Sequence, residues 1–116
     1  MAKIYLYAVI FVYIWGLKTN ACTIFNSSHV PVGHVDDYGS VYKGREFVGK
    51  VNYYGSIFRN RELIGRVTNG SVFKDEEYVG NVKWGKIFIN REFVGYGSKC
   101  DEHKLGAALL LLLLEE

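Results

Sequence analysis

Three histidines, two cysteines, a recurring Arg-Glu dipeptide and a set of turn aromatics are the residues of this 116-residue chain on which chemistry could rest. His29 and His34, close to Asp36 and Asp37, offer imidazole and carboxylate donors of the metal-binding kind, but their spacing fits no established ligand pattern. His34 fills a slot held elsewhere by Lys50, Arg66 and Asn81, so it is expected to face solvent. His103, among Asp101, Glu102 and Lys104, is expected at the surface. The pairs Arg45-Glu46, Arg61-Glu62 and Arg91-Glu92 recur, and exposed ion pairs are worth only ~0–1 kcal/mol each. Symmetry would nevertheless set Arg45, Arg61 and Arg91 around one rim, where they could meet an anionic partner. Tyr38, Tyr53, Tyr54 and Trp84 could form an aromatic face for a carbohydrate or a headgroup, and solvent exposure would separate that role from ordinary packing. No Cys-His couple stands near a Ser or Asp at catalytic spacing, and the sequence has no phosphate-binding Gly loop and no paired metal-site cysteines. A chain without catalysis, metal or cofactor is expected.

The elements that would position these residues repeat. Gly33, Gly49, Gly65, Gly80 and Gly95 follow one another at steps of 16, 16, 15 and 15 residues. The clearest copies read Val41-Tyr-Lys-Gly-Arg-Glu-Phe-Val-Gly49, Ile57-Phe-Arg-Asn-Arg-Glu-Leu-Ile-Gly65, Val72-Phe-Lys-Asp-Glu-Glu-Tyr-Val-Gly80 and Ile87-Phe-Ile-Asn-Arg-Glu-Phe-Val-Gly95. A fixed period of this kind announces a symmetric architecture. In each copy a β-branched residue and an aromatic face opposite sides of a short strand, and a Gly, Asn or Asp follows that tolerates positive φ in a hairpin loop. The return segment, such as Phe47-Val48-Gly49-Lys50-Val51, is expected to place Phe47, Gly49 and Val51 on one face by period-two alternation, with Gly permitting close packing. Tyr54-Gly55, Asn69-Gly70 and Trp84-Gly85 mark the turns between units, Asn69-Gly70 being the strongest hairpin signal. Phe58, Phe73 and Phe88, with Val51, Val67 and Val82, are expected in the core. An earlier copy, from Thr23 to Gly33, carries one extra residue and Pro31, and a trailing copy fades after Tyr96-Gly97-Ser98.

Both ends of the chain depart from the repeat. Lys3 and Lys18 flank an uncharged apolar run from Ile4 to Leu17, which reads as a signal peptide or anchor over residues 1–21, or as an extra strand. Residues 22–105 form the hairpin repeat domain, and 106–116 a Leu-rich tail that should bury itself against the array. Without Lys3 and Lys18 the 14 basic residues fall to 12, equal to the 12 acidic ones, a balance that argues against a nucleic-acid partner.

The Val-Tyr or Ile-Phe pair, the Gly or Asn turn and the following Val-Gly-x-Val resemble the bacterial four-fold β-flower repeats over roughly Thr23 to Gly97. The resemblance implies a fold, a pinwheel of β-hairpins, and no activity. Choline-binding repeats also alternate Gly, aromatics and hairpins, but their period is longer and they carry far more Trp than the single Trp84 of this array. The expected fold is therefore all-β: an up-and-down meander of about four hairpins arranged as a flower or small closed barrel.

In a closed ring the two ends of the array become neighbours, which would bring Cys22 and Cys100 together. A disulfide would follow if the leader exports the chain to an oxidising compartment, and two free thiols if the protein stays in the cytoplasm. The expected function is a structural or protein-interaction module of the bacterial cell envelope, exported or tethered by its leader, with a protein or glycan partner. The alternative is a ligand-binding module that uses the aromatic face.

Overall fold

The computed structural model describes residues 22–114, so the leader expected over residues 1–21 lies outside the described residues. Among these described residues ten antiparallel strands run in chain order and close on themselves as a barrel. They are β1 (Cys22–Asn26), β2 (Pro31–Val35), β3 (Ser40–Lys43), β4 (Glu46–Val51), β5 (Ser56–Arg59), β6 (Glu62–Thr68), β7 (Ser71–Lys74), β8 (Glu77–Lys83), β9 (Lys86–Ile89) and β10 (Glu92–Ser98). Taken in pairs they make five hairpins, where the repeat count suggested about four. The copy from Thr23 to Gly33, despite Pro31, is a full member, and β1 closes the ring by pairing with β10 from Thr23↔Ser98 to Asn26↔Gly95. One end of the barrel carries the turns within hairpins, the tip rim. The other carries the turns between hairpins, the link rim.

Each hairpin contains a β-bulge at the same place. Val41 pairs with Gly49 and Tyr42 with Phe47, so Val48 has no partner of its own. The same irregularity recurs in the other four hairpins. An extra residue resets the alternation of faces. Gly49 and Val51 therefore point into the barrel while Phe47 points out and is 52% exposed, which corrects the expectation that all three share a face. Val41, Ile57, Val72, Ile87 and Ile24 fill the inner wall together with Val35, Val51, Val67 and Val82. Phe58, Phe73 and Phe88 are only half-buried, because they lie on the outer wall, where each pairs with the residue after a beat glycine: Lys50↔Phe58, Arg66↔Phe73 and Asn81↔Phe88. The core consists of the valines and isoleucines rather than the rings.

A ten-stranded barrel is wider than the eight-stranded kind whose own side chains fill the interior. The chain fills the extra space with its C-terminus. After Cys100, helix α1 (Glu102–Ala108) starts at the link rim, capped by Asp101, whose side chain accepts a hydrogen bond from the Lys104 backbone at 2.9 Å. It continues into a π-helical turn, Leu109–Leu113, that ends toward the tip rim. The leucine run thus lies within the ring of strands rather than on top of it. Leu109, Leu110, Leu111, Leu112 and Leu113 approach Gly80, Gly65, Gly49, Gly33 and Gly95 in that order, one hairpin per residue around the barrel. In an α-helix successive side chains turn by about 100°, so five leucines would overrun one turn. An i→i+5 turn opens that angle toward the ~72° that five equivalent hairpins ask for. The Leu114 amide donates to the Leu109 carbonyl at 2.7 Å and closes the turn.

The two ends of the array are joined covalently. Cys22, fully buried at the start of β1, forms a disulfide with Cys100, their Cα atoms 4.9 Å apart across 78 residue steps. Gly97 takes the place that Val35, Val51, Val67 and Val82 hold in the other hairpins. A Cβ there would lie 2.5 Å from both Cys100 Sγ and Leu105 Cδ2.

Candidate functional site

Because the leucines occupy the lumen, the free surfaces are the outer wall and the two rims. At the link rim, side chains of Asp36 and Asn52 organise two four-residue turns. Asp36 Oδ1 accepts from the Tyr38 and Ser40 amides, both at 2.9 Å, and Asn52 Oδ1 accepts from Tyr54 and Ser56, both at 3.0 Å. These turns are tied to the next hairpin through Gly39 and Gly55, whose carbonyls accept from the Val51 and Val67 amides at 2.9 and 2.8 Å. With the backbone held this way Tyr38, Tyr53 and Tyr54 project outward, 85, 88 and 81% exposed, and Trp84 in the β8–β9 turn is 87% exposed. Tyr53 and Tyr54 meet edge to face at 5.5 Å, and Lys83 Nζ lies 4.5 Å above the Trp84 ring.

Trp84 has a left-handed backbone as well. It opens a two-residue turn with φ +54°, the place Asn69 holds in the preceding link turn with φ +50°. Asn tolerates this left-handed conformation, whereas a bulky residue pays for it. The alignment of Trp84-Gly85 with Asn69-Gly70 carries that information in the sequence, yet only the observed dihedral makes the cost plain.

Arg45, Arg61 and Arg91 lie at the opposite end, on the tip rim, so the structure separates the two sets of candidate residues. Arg61, Glu76 and Arg91 occupy the second turn positions with φ +69°, +70° and +69°. The ring of arginines is broken by the acidic Asp75-Glu76-Glu77 hairpin. Arg59, on the inward face of β5, reaches under the barrel to the Leu110 carbonyl at 3.5 Å, where a helix end has acceptors without intrahelical partners.

The histidines are scattered. His29, exposed in the β1–β2 turn, has Nδ1 3.1 Å from the Tyr96 hydroxyl. His34 is half-buried rather than fully solvated, stacked on Tyr42 with ring centroids 5.0 Å apart. His103 is half-buried near Gly55 on the link rim. Among the described residues no cluster of three or more His, Cys, Asp or Glu side chains is placed to hold a metal ion. No helix among the described residues is long and apolar enough to cross a membrane. A scan against protein-family models finds no match, and searches of curated proteins and of solved structures find none either.

Proposed function

We propose that this chain is a non-catalytic interaction module of the bacterial cell envelope, built as a β-flower-like barrel of hairpin repeats and exported or tethered by residues 1–21. The observation that carries this reading is the disulfide between Cys22 and Cys100, which fixes the β1–β10 seam covalently and belongs in an oxidising compartment. The leucine-filled lumen supports it further, because the space in which a barrel of this size would take up a small ligand is occupied by the chain itself. What remains for a partner is the outer surface, with strongly exposed rings at one end and charged turns at both. A glycan or headgroup held by Tyr38, Tyr53, Tyr54 and Trp84 is the second reading, and the outward projection of all four rings favours it over internal packing.

The test is thiol labelling after acid quenching of whole cells and unfolding in denaturant, which makes the buried Cys22 accessible. Export predicts that Cys22 and Cys100 then resist a maleimide until a reductant is added, and that the protein fractionates with the envelope. Free labelling of both thiols in a soluble cytoplasmic fraction would overturn the proposal.

A further inference from the structure

The link rim combines three features that its role as a set of turns does not require. Four large aromatic side chains stand almost fully in solvent, spread over three turns. One of them, Trp84, is held in a left-handed backbone conformation that the Asn at the matching position of the neighbouring turn adopts more easily. The same conformation recurs at Arg61, Glu76 and Arg91 in the tip turns, so it belongs to the two-residue turn, and what distinguishes Trp84 is the large ring placed on it. The third feature is the point at which the chain enters. Cys22 opens β1 at this same rim and is pinned there by the bond to Cys100. The uncharged run Ile4 to Leu17 ends five residue steps before it, a span of at most about 18 Å.

We infer that the link rim rests on a lipid bilayer, with Tyr38, Tyr53, Tyr54 and Trp84 at headgroup depth and the tip rim pointing away. This rests on the reading of residues 1–21 as a retained anchor. If the apolar run lies in the bilayer, the short connection to Cys22 holds the link rim at the surface. The residues found there are the ones that suit it. Tyr and Trp concentrate at membrane–water interfaces because their rings are apolar while their O–H and N–H remain hydrated. Lys83 beside the Trp84 ring extends the same amphipathic pattern. The rim carries no strong net charge, since Asp36, Asp37, Asp101 and Glu102 are offset by Lys83, Lys86, Lys99 and Lys104. Contact should therefore come from the rings and not from attraction to anionic lipid. The tip turns carry Arg45, Arg61, Asp75, Glu76 and Arg91, and the apolar side chains beside them, Phe47, Leu63, Tyr78 and Phe93, are 37–59% exposed against 81–88% for the four rings of the link rim.

The experiment uses the full chain with Trp15→Phe, which leaves Trp84 as the one tryptophan, incorporated into zwitterionic phosphatidylcholine vesicles. A companion chain carries W15F, W84F and Y78W, reporting from the outer wall near the tip rim. After a carbonate wash both chains should float with the vesicles. Trp84 should emit to the blue of its position in detergent-free buffer, be quenched severalfold less by acrylamide than the Y78W reporter, and be quenched more by headgroup-region nitroxide lipid. If the chains float but Trp84 is quenched by acrylamide as freely as the Y78W reporter, the rim is not on the bilayer although the anchor stands. If the chains do not float, the anchor fails and the inference fails with it. If soluble cell-wall glycan fragments protect Trp84 while vesicles do not, the rim is a glycan face and the inference is overturned.

Discussion

Gly65 has no side chain because its neighbours already occupy the space. A Cβ there would meet the Phe73 carbonyl oxygen of the next strand and would lie 2.6 Å from Leu110 Cδ1. The first contact is with backbone and cannot be relieved by a rotamer change. Gly65→Val should therefore destabilise by more than ~2 kcal/mol, since overpacking and backbone displacement add. With roughly 4–8 °C lost per kcal/mol in a domain of this size, thermal unfolding will show it. Arg61 gives the opposite case. Its φ of +69° is a conformation that Gly adopts freely, so Arg61→Gly should raise stability by about 0.5–1 kcal/mol, read as a higher melting temperature. The regular spacing of Gly65 and its fellows was legible in the sequence, as was the reason for it, close approach. Which atoms approach was not, because Leu110 lies 45 residues along the chain and nothing local ties it to Gly65.

Among the elements, hairpins and turns could be read from the β-branched and aromatic pairs and from the Gly, Asn and Asp turn residues. The bulges could not. Val48 looks like any strand residue, and only its lack of a partner opposite Val41 and Tyr42 shows that alternation is reset there, which sends Phe47 outward. The leucine run was legible as something that must be buried, since six consecutive Leu have little reason to remain in water. Its path inside the strands follows from the barrel's girth, a property of ten strands together. Burial of a Leu is worth ~1.5–3 kcal/mol, so Leu105, Leu109 and Leu110 alone rival the net stability of a small domain. Leu110→Ala should cost about 2–4 kcal/mol in denaturant unfolding. Leu112→Ala, at a half-buried position, should cost less. Removing residues 102–116 altogether should leave an open apolar lumen, seen as strong binding of a hydrophobic dye.

For the whole molecule, closure is the organising fact. β1 against β10 removes both sheet edges, and the Cys22–Cys100 bond fixes the same seam covalently. Reduction should lower stability by up to about 4 kcal/mol, the chain-entropy value for a loop of this length. A chemical denaturation midpoint that does not move on reduction would show that the seam is held by strand pairing alone. The number of hairpins was underestimated from sequence because the first copy, with Pro31 and an extra residue, looked like a degenerate end. In the ring it has the same neighbours as the rest. Five hairpins surround one turn of five leucines, each leucine set against one glycine. Nuclear Overhauser contacts between leucine methyls and glycine α-protons test this most directly. The structure predicts Leu109 with Gly80, Leu110 with Gly65, Leu111 with Gly49, Leu112 with Gly33 and Leu113 with Gly95. Leucine methyls broadened by a soluble paramagnetic agent, with no contact to any of these glycines, would contradict it.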